Sequence, residues 1–275
     1  MFKKSKGIRV EKEMAAIIII AGLVIAVGIM LACAPPEQIV RQNRASWGES
    51  YSYSYESPEK NVAKAVPLTI AVVNPSYNDP ENALGKGIYS KVGRGFSKSM
   101  AVDMDKIIVA KGMTVKGPYA DIEDMTFPDK KGTDLTLTTK IFISTQIKED
   151  NRWQRDRRTR SMFKKFELRI SGWVAFEMRE PLSGEKIWIK KLDLDEVVEK
   201  GEIAAEMVAV TKPGDVFPTD YKPGEILYDN RPDAMADALK KIYPTVMTKF
   251  WTYINTEEML VLKTKTKEIR DLKRY

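Results

Sequence analysis

"FELRISGWVAFEMRE", Phe166 to Glu180, decides the fold. Apolar Phe166, Leu168, Ile170, Val174, Phe176 and Met178 alternate with Glu167, Arg169, Ser171, Glu177 and Arg179. A period of two places the first set on one face of a β-strand and the second on the other. "DLTLTTKIFIST", Asp134 to Thr145, repeats the pattern, with Leu135, Leu137, Ile141 and Ile143 on one face. After Met178, "EPLSGEK" supplies a turn and "IWIKKLDLD" a return strand. Its apolar phase slips between Ile189 and Leu192, which predicts a bulge near Lys190–Lys191. These segments read as a long antiparallel meander.

Upstream, "LTIAVV" (Leu68 to Val73) is apolar on both faces, as a central buried strand requires. Ile88, Val92, Phe96, Met100, Met104 and Ile107 recur at spacings of four and three and predict an amphipathic helix to Ala110. Gly93 and Gly95 sit inside it, each at a cost of about 1 kcal/mol relative to alanine. Gly112 stops it, and "MTVKG" follows as a short strand. Residues 211–230 read as a Pro/Gly loop. A last helix starts near Pro232 with a stripe of Met235, Leu239, Ile242, Val246, Phe250 and Tyr253; Pro244 lies inside it and is expected to kink it. The expected class is α/β (α+β): a single sandwich of a mixed, largely antiparallel sheet with two main helices on one face, preceded by an N-terminal membrane segment. The expected plan is a signal or membrane segment at 1–33, a polar tether at 34–66, a globular domain at 67–256 and a solvated basic tail at 257–275.

The N-terminus allows two readings. A basic "MFKKSKGIRVEKE" precedes the uncharged "MAAIIIIAGLVIAVGIMLA", Met14 to Ala32. In one, this is a lipoprotein signal cut after Ala32, with Cys33 as the lipidation site. In the other, the run approaches the roughly 20 residues that span a bilayer and stays as an uncleaved anchor, its Lys-rich end inside the cell. In the tether, Tyr51, Tyr53 and Tyr55 alternate with serine. Either they form an aromatic stripe that docks on a partner or a glycan, or they are an edge strand or a sticky part of the linker that packs on its own domain.

The chain of 275 residues has no histidine and one cysteine. That composition excludes an ordinary zinc site, a Ser/His/Asp triad and a Cys/His pair. No acidic pair stands out for a carboxylate-based hydrolase. The expectation is a non-enzyme without cofactor or metal. "GKGIYSKVGRGFSKS" lacks the phosphate-loop pattern, and its glycines fall inside a helix. The net charge of +7 favours anionic partners. It concentrates in "RWQRDRRTRSMFKK", between two meander strands. Arg152, Trp153, Arg155, Arg157, Arg158, Arg160, Lys164 and Lys165 form the candidate ligand-binding site. Arginine forks grip carboxylates, and tryptophan stacks on sugar faces. The classes that fit are an acidic glycan, lipopolysaccharide or anionic lipid. Nucleic acid suits the charge but not an exported domain. The alternative is a solvated basic loop.

"IAVVNPSY", "VAKGMTVKG", "FEMREPLSGEKIWIKKLDLDE" and "NRPDAMADALKKIYPTVM" resemble the neuraminyllactose-binding haemagglutinin family, also called the flagellar sheath adhesin family, over about residues 66–256. The "EPLSGE" turn and the "DAMADALKKIY" helix are the most specific parts. The resemblance implies an outer-membrane or flagellar-sheath lipoprotein, anchored through Cys33, with an adhesion role. It also implies a basic stretch after the central strand associated with sialylated glycans, a place held here by Arg152–Lys165. The residues leave open a second function: a structural component of a periplasmic or flagellar-motor-associated assembly, held by the uncleaved helix and bound to protein partners.

Overall fold

The computed structural model describes residues 51–58, 64–77, 79 and 81–273. The segment Met14–Ala32 and Cys33 lie outside these residues. Among the described residues no helix is long and apolar enough to cross a membrane.

The class is mixed α+β. Seven strands form one sheet: β1 (Thr69–Val73), β2 (Thr114–Tyr119), β3 (Leu135–Glu149), β4 (Gln154–Asp156), β5 (Ser161–Arg179), β6 (Lys186–Val210) and β7 (Asp220–Asp229). Their order is β2-β1-β3-β5-β6-β7, with β4 paired to β5. β1 runs parallel to both its neighbours, as a strand apolar on both faces should, and every other pairing is antiparallel. The helices are α1 (Ser90–Ala110), the short α2 (Phe127–Lys131), α3 (Arg231–Tyr253) and α4 (Thr256–Lys273).

The alternation in β3 and β5 works as read. Leu137 faces the core beside Met178, and Ile141 beside Val174. Phe96, Met100 and Met104 of α1 and Leu239, Val246 and Phe250 of α3 fill the space above, each fully buried. The Phe176 and Phe250 rings lie 4.9 Å apart. Burying such a side chain stabilises by about 1.5–3 kcal/mol, which makes this layer the main support of the fold.

Several expectations need correction. The bulge is not at Lys190–Lys191, where pairing with Phe176 and Ala175 is regular; the register shifts where Ile170 pairs Val197 but Gly172 pairs Leu194, so the extra residue lies at Asp195–Glu196. The Pro/Gly loop contains strand β7, which pairs along β6 despite Pro223 and Gly224. The expected tail is helix α4, and Met259, Leu262 and Ile269 are buried along one side of it. A third long helix therefore joins the two expected. α3 continues through Pro244, whose side is exposed, so water can satisfy the Lys240 carbonyl that loses its partner.

Tyr51–Tyr55 forms no strand. It packs as an extended arm against α1 and α3. The Tyr53 ring is buried 5.3 Å from Phe96 and 5.4 Å from Tyr243. Tyr51 donates its hydroxyl hydrogen to Asp233 Oδ1 at 2.8 Å, and the Tyr53 N–H meets Ser99 Oγ at 3.0 Å. Gly95 lets the arm run this close: a Cβ there would lie 2.1 Å from the Tyr51 carbonyl oxygen. Gly93 does the same for the Leu84 carbonyl, at 2.3 Å. Both glycines weaken α1 as a helix and make it a surface that backbone can approach.

Candidate functional site

The basic stretch folds as the far end of the β3–β5 hairpin. β4 pairs with the start of β5, Gln154 opposite Phe163 and Asp156 opposite Ser161. The turn between them is Arg157–Arg160. Asp156 Oδ1 accepts the N–H of Arg158 at 2.9 Å and of Thr159 at 3.4 Å. Hydrogen bonds from Thr159 and from the Arg158 N–H hold its carboxyl below the usual range. Arg160 closes the turn with φ at 52° and passes its carbonyl to the Met207 N–H at 3.3 Å.

The eight candidate residues do not form one surface. Arg157, Arg158 and Arg160 share the exposed turn, and among the described residues none of the three has an ion pair. Arg155 is engaged: its Nη2 lies 2.5 Å from Asp220 Oδ1, and its guanidinium 5.0 Å over the Tyr221 ring. Lys164 is paired with Glu149 at 2.5 Å and half-buried. Trp153 is half-buried and packs against the core, so only part of its ring is left to stack on a sugar. Arg152 and Lys165 are exposed but lie down the hairpin from the turn.

The Arg155–Asp220 bond also brings in residues the sequence reading passed over. Asp220 pairs with Val210 at the base of loop 211–219, and the Thr219 N–H bonds the Val210 carbonyl at 3.2 Å. The two hairpin ends are thus stitched side by side. The loop carries Lys212, Asp215 and two apolar residues, Val216 (87% exposed) and Phe217 (77%). The signal was present: two adjacent apolar residues inside a Pro/Gly-rich stretch belong to no periodic face.

The sheet face turned away from the helices holds a second, half-buried aromatic group. Phe142 and Trp173 stack with centroids 5.8 Å apart, and Lys191 Nζ lies 5.3 Å over Trp173. The cations here are already answered. Lys191 pairs with Asp193 at 3.0 Å, and buried Glu177 takes Arg179 and Lys186 at 2.6 Å each. Burial opposes ionisation of Glu177, but these hydrogen bonds hold its carboxyl below the usual range. The turn, where three arginines meet the one carboxylate of Asp156, is the better anion site.

Residues 15–273 match the family model described as neuraminyllactose-binding hemagglutinin precursor. No curated protein matches the sequence. Among solved structures, a neuraminyllactose-binding hemagglutinin homolog from Helicobacter pylori is 15% identical with a TM-score of 0.51, covering 78% of this chain and 97% of its own. A lipoprotein from Neisseria meningitidis is 12% identical with a TM-score of 0.28, covering 48% of this chain and 84% of its own. The first value marks a shared fold; the second does not reach that level.

Proposed function

Because the chain belongs to the neuraminyllactose-binding hemagglutinin family, we propose that it is a non-enzymatic lipoprotein of the cell envelope that binds an anionic, sialylated glycan. In this reading Cys33 is acylated after cleavage behind Ala32, and the domain serves as an adhesin on the outer membrane or flagellar sheath. The observation that carries the ligand assignment is the turn Arg157–Arg160, whose three arginines are exposed and, among the described residues, make no salt bridge, although Arg158 feels the Asp156 carboxylate beside it. A guanidinium fork matches the carboxylate of a sialic acid. Each exposed ion pair contributes only about 0.2–1 kcal/mol, so single-site affinity is weak and adhesion depends on many copies acting together.

The test is equilibrium binding of the full chain to sialyllactose and to lactose. Sialyllactose should bind and lactose should not, and Arg157→Ser/Arg158→Ser/Arg160→Ser should abolish the difference. Equal binding of both sugars defeats the reading.

The length of the uncharged run Met14–Ala32 favours a second reading, an assembly component held in the membrane by an uncleaved helix. The mass of the mature N-terminus separates the two. A chain beginning at acylated Cys33 supports the lipoprotein, and one beginning at Met1 supports the anchor.

A further inference from the structure

The composite end of the sheet has a property that a sugar-binding turn alone does not need. Val216 and Phe217 stand out in loop 211–219, and among the described residues nothing covers them. Exposing two adjacent large apolar side chains at a tip costs solubility and gains nothing for the fold. Beside them stand Arg157, Arg158 and Arg160, joined to the loop base through Arg155 and Asp220. Lys212 and Lys222 add cations within and next to the loop, against Asp156 in the turn, Asp215 in the loop and Asp220 on Arg155.

We propose that this end of the sheet docks on a lipid bilayer bearing anionic headgroups, with Val216 and Phe217 entering the interface and the arginine turn meeting the headgroup charge. This deepens the glycan reading and rests on its assignment of the turn as an anion-binding surface: the sialylated or other anionic group would be carried on a membrane lipid. The pattern is the one that interfacial segments use. Apolar side chains enter the boundary between headgroups and acyl chains while basic residues stay at the charged level. Each surface cation contributes about 1 kcal/mol against an anionic leaflet. Three arginines and one aromatic insertion together are enough for reversible attachment and too little for permanent anchoring, which suits a surface that must engage and release. Charge complementarity chooses the bilayer over an apolar protein groove, since a groove would leave the arginine turn unanswered.

The test keeps the anchor occupied. The full chain is inserted through its N-terminus into phosphatidylcholine nanodiscs, and capture of added fluorescent vesicles is measured. Vesicles containing phosphatidylglycerol should be captured, those of phosphatidylcholine alone much less, and rising salt should release them. Val216→Ser/Phe217→Ser should lower capture roughly ten-fold or more while leaving soluble sialyllactose binding unchanged. Phe217→Trp, which keeps an interfacial aromatic, should retain capture. Undiminished capture by the double serine variant overturns the proposal. So does self-association of the full chain in detergent that the same variant abolishes, because the loop would then be a contact between copies. Vesicle capture that needs Val216 and Phe217, in a protein that does not bind sialyllactose, supports bilayer docking and defeats the glycan reading alone.

Discussion

Tyr243 on α3 donates its hydroxyl hydrogen to Asp103 Oδ2 on α1 over 2.8 Å, and the Tyr55 N–H meets the same oxygen at 2.8 Å. Lys106 takes the other carboxylate oxygen, also at 2.8 Å. One buried carboxylate therefore ties two helices and the N-terminal arm together. Burial, and then the Asp103 hydrogen bond, push the Tyr243 hydroxyl well above the usual tyrosine range. Asp103→Ala leaves the buried tyrosine hydroxyl and the arm N–H without an acceptor. The expected loss is about 3 kcal/mol or more. It is read from the denaturant midpoint, and Asp103→Asn, which keeps one acceptor, should lose less. An unchanged midpoint for the alanine variant contradicts this role.

Gly95 gives a prediction whose sign runs against helix propensity. Glycine to alanine in a helix interior normally gains about 1 kcal/mol. Here the new methyl would sit 2.1 Å from the Tyr51 carbonyl oxygen. Gly95→Ala should therefore destabilise the protein and expose the arm to protease between Tyr51 and Tyr55. A higher melting temperature with an intact arm is the opposite result.

The fold was legible where apolar residues alternate with polar ones, even though part of the polar face, Thr136 and Glu177, is itself buried. Leu135 to Ile143 and Phe166 to Met178 alternate because their apolar side chains line the core under the long helices. Strand β7 was hidden because Pro223 and Gly224 carry turn signals that its pairing with β6 overrides. Helix α4 was hidden because Met259, Leu262 and Ile269 are sparse among cations, so their spacings of three and seven did not register as a stripe. The arm was illegible in principle as to its dock, since its partners Ser99, Asp103 and Asp233 are distant in sequence. At the site, the arginines were plain from composition. What divides them into free and engaged is Asp220, 65 residues from Arg155, and no local pattern reports that.

Arg270 holds α4 to the rest of the domain. Its Nε lies 2.8 Å from Glu180 Oε1 and its Nη2 2.8 Å from the Thr133 carbonyl oxygen. Glu180 is fully buried. Burial opposes its ionisation, but the Arg270 hydrogen bond and backbone N–H groups hold its carboxyl below the usual range. A carboxyl depressed in the folded state contributes stability above the ordinary glutamate range, lost as pH falls through its folded value. Arg270→Met should cost about 3–5 kcal/mol at neutral pH by stranding that carboxylate, and should flatten the acid limb of the stability curve. Melting curves across the acid range decide it, and a variant with wild-type stability contradicts it.

Asp105 behaves in the reverse sense. Burial raises its carboxyl to about 6, and Oδ1 has no hydrogen-bond partner among the described residues. The folded state holds this proton more tightly than the unfolded chain does. Stability contributed by Asp105 therefore falls as pH rises from the ordinary aspartate range, about 4, to about 6, and is level above that. Asp105→Asn should raise the melting temperature at about pH 7.5 and change it little at about pH 4. Equal shifts at both pH values would falsify the assignment.

The measurement that bears most directly on function is a titration of sialyllactose, with lactose as reference, against the full chain and Arg157→Ser/Arg158→Ser/Arg160→Ser, at low and at physiological salt. Exposed charges are screened beyond about 8 Å at physiological ionic strength, so binding through the turn must weaken as salt rises. The expected result is sialic-acid-dependent binding by the wild type, reduced by salt and lost in the triple variant, with both proteins melting at the same temperature. Equal binding by the two proteins, or binding that ignores both salt and the sialic acid, contradicts the turn as the ligand site.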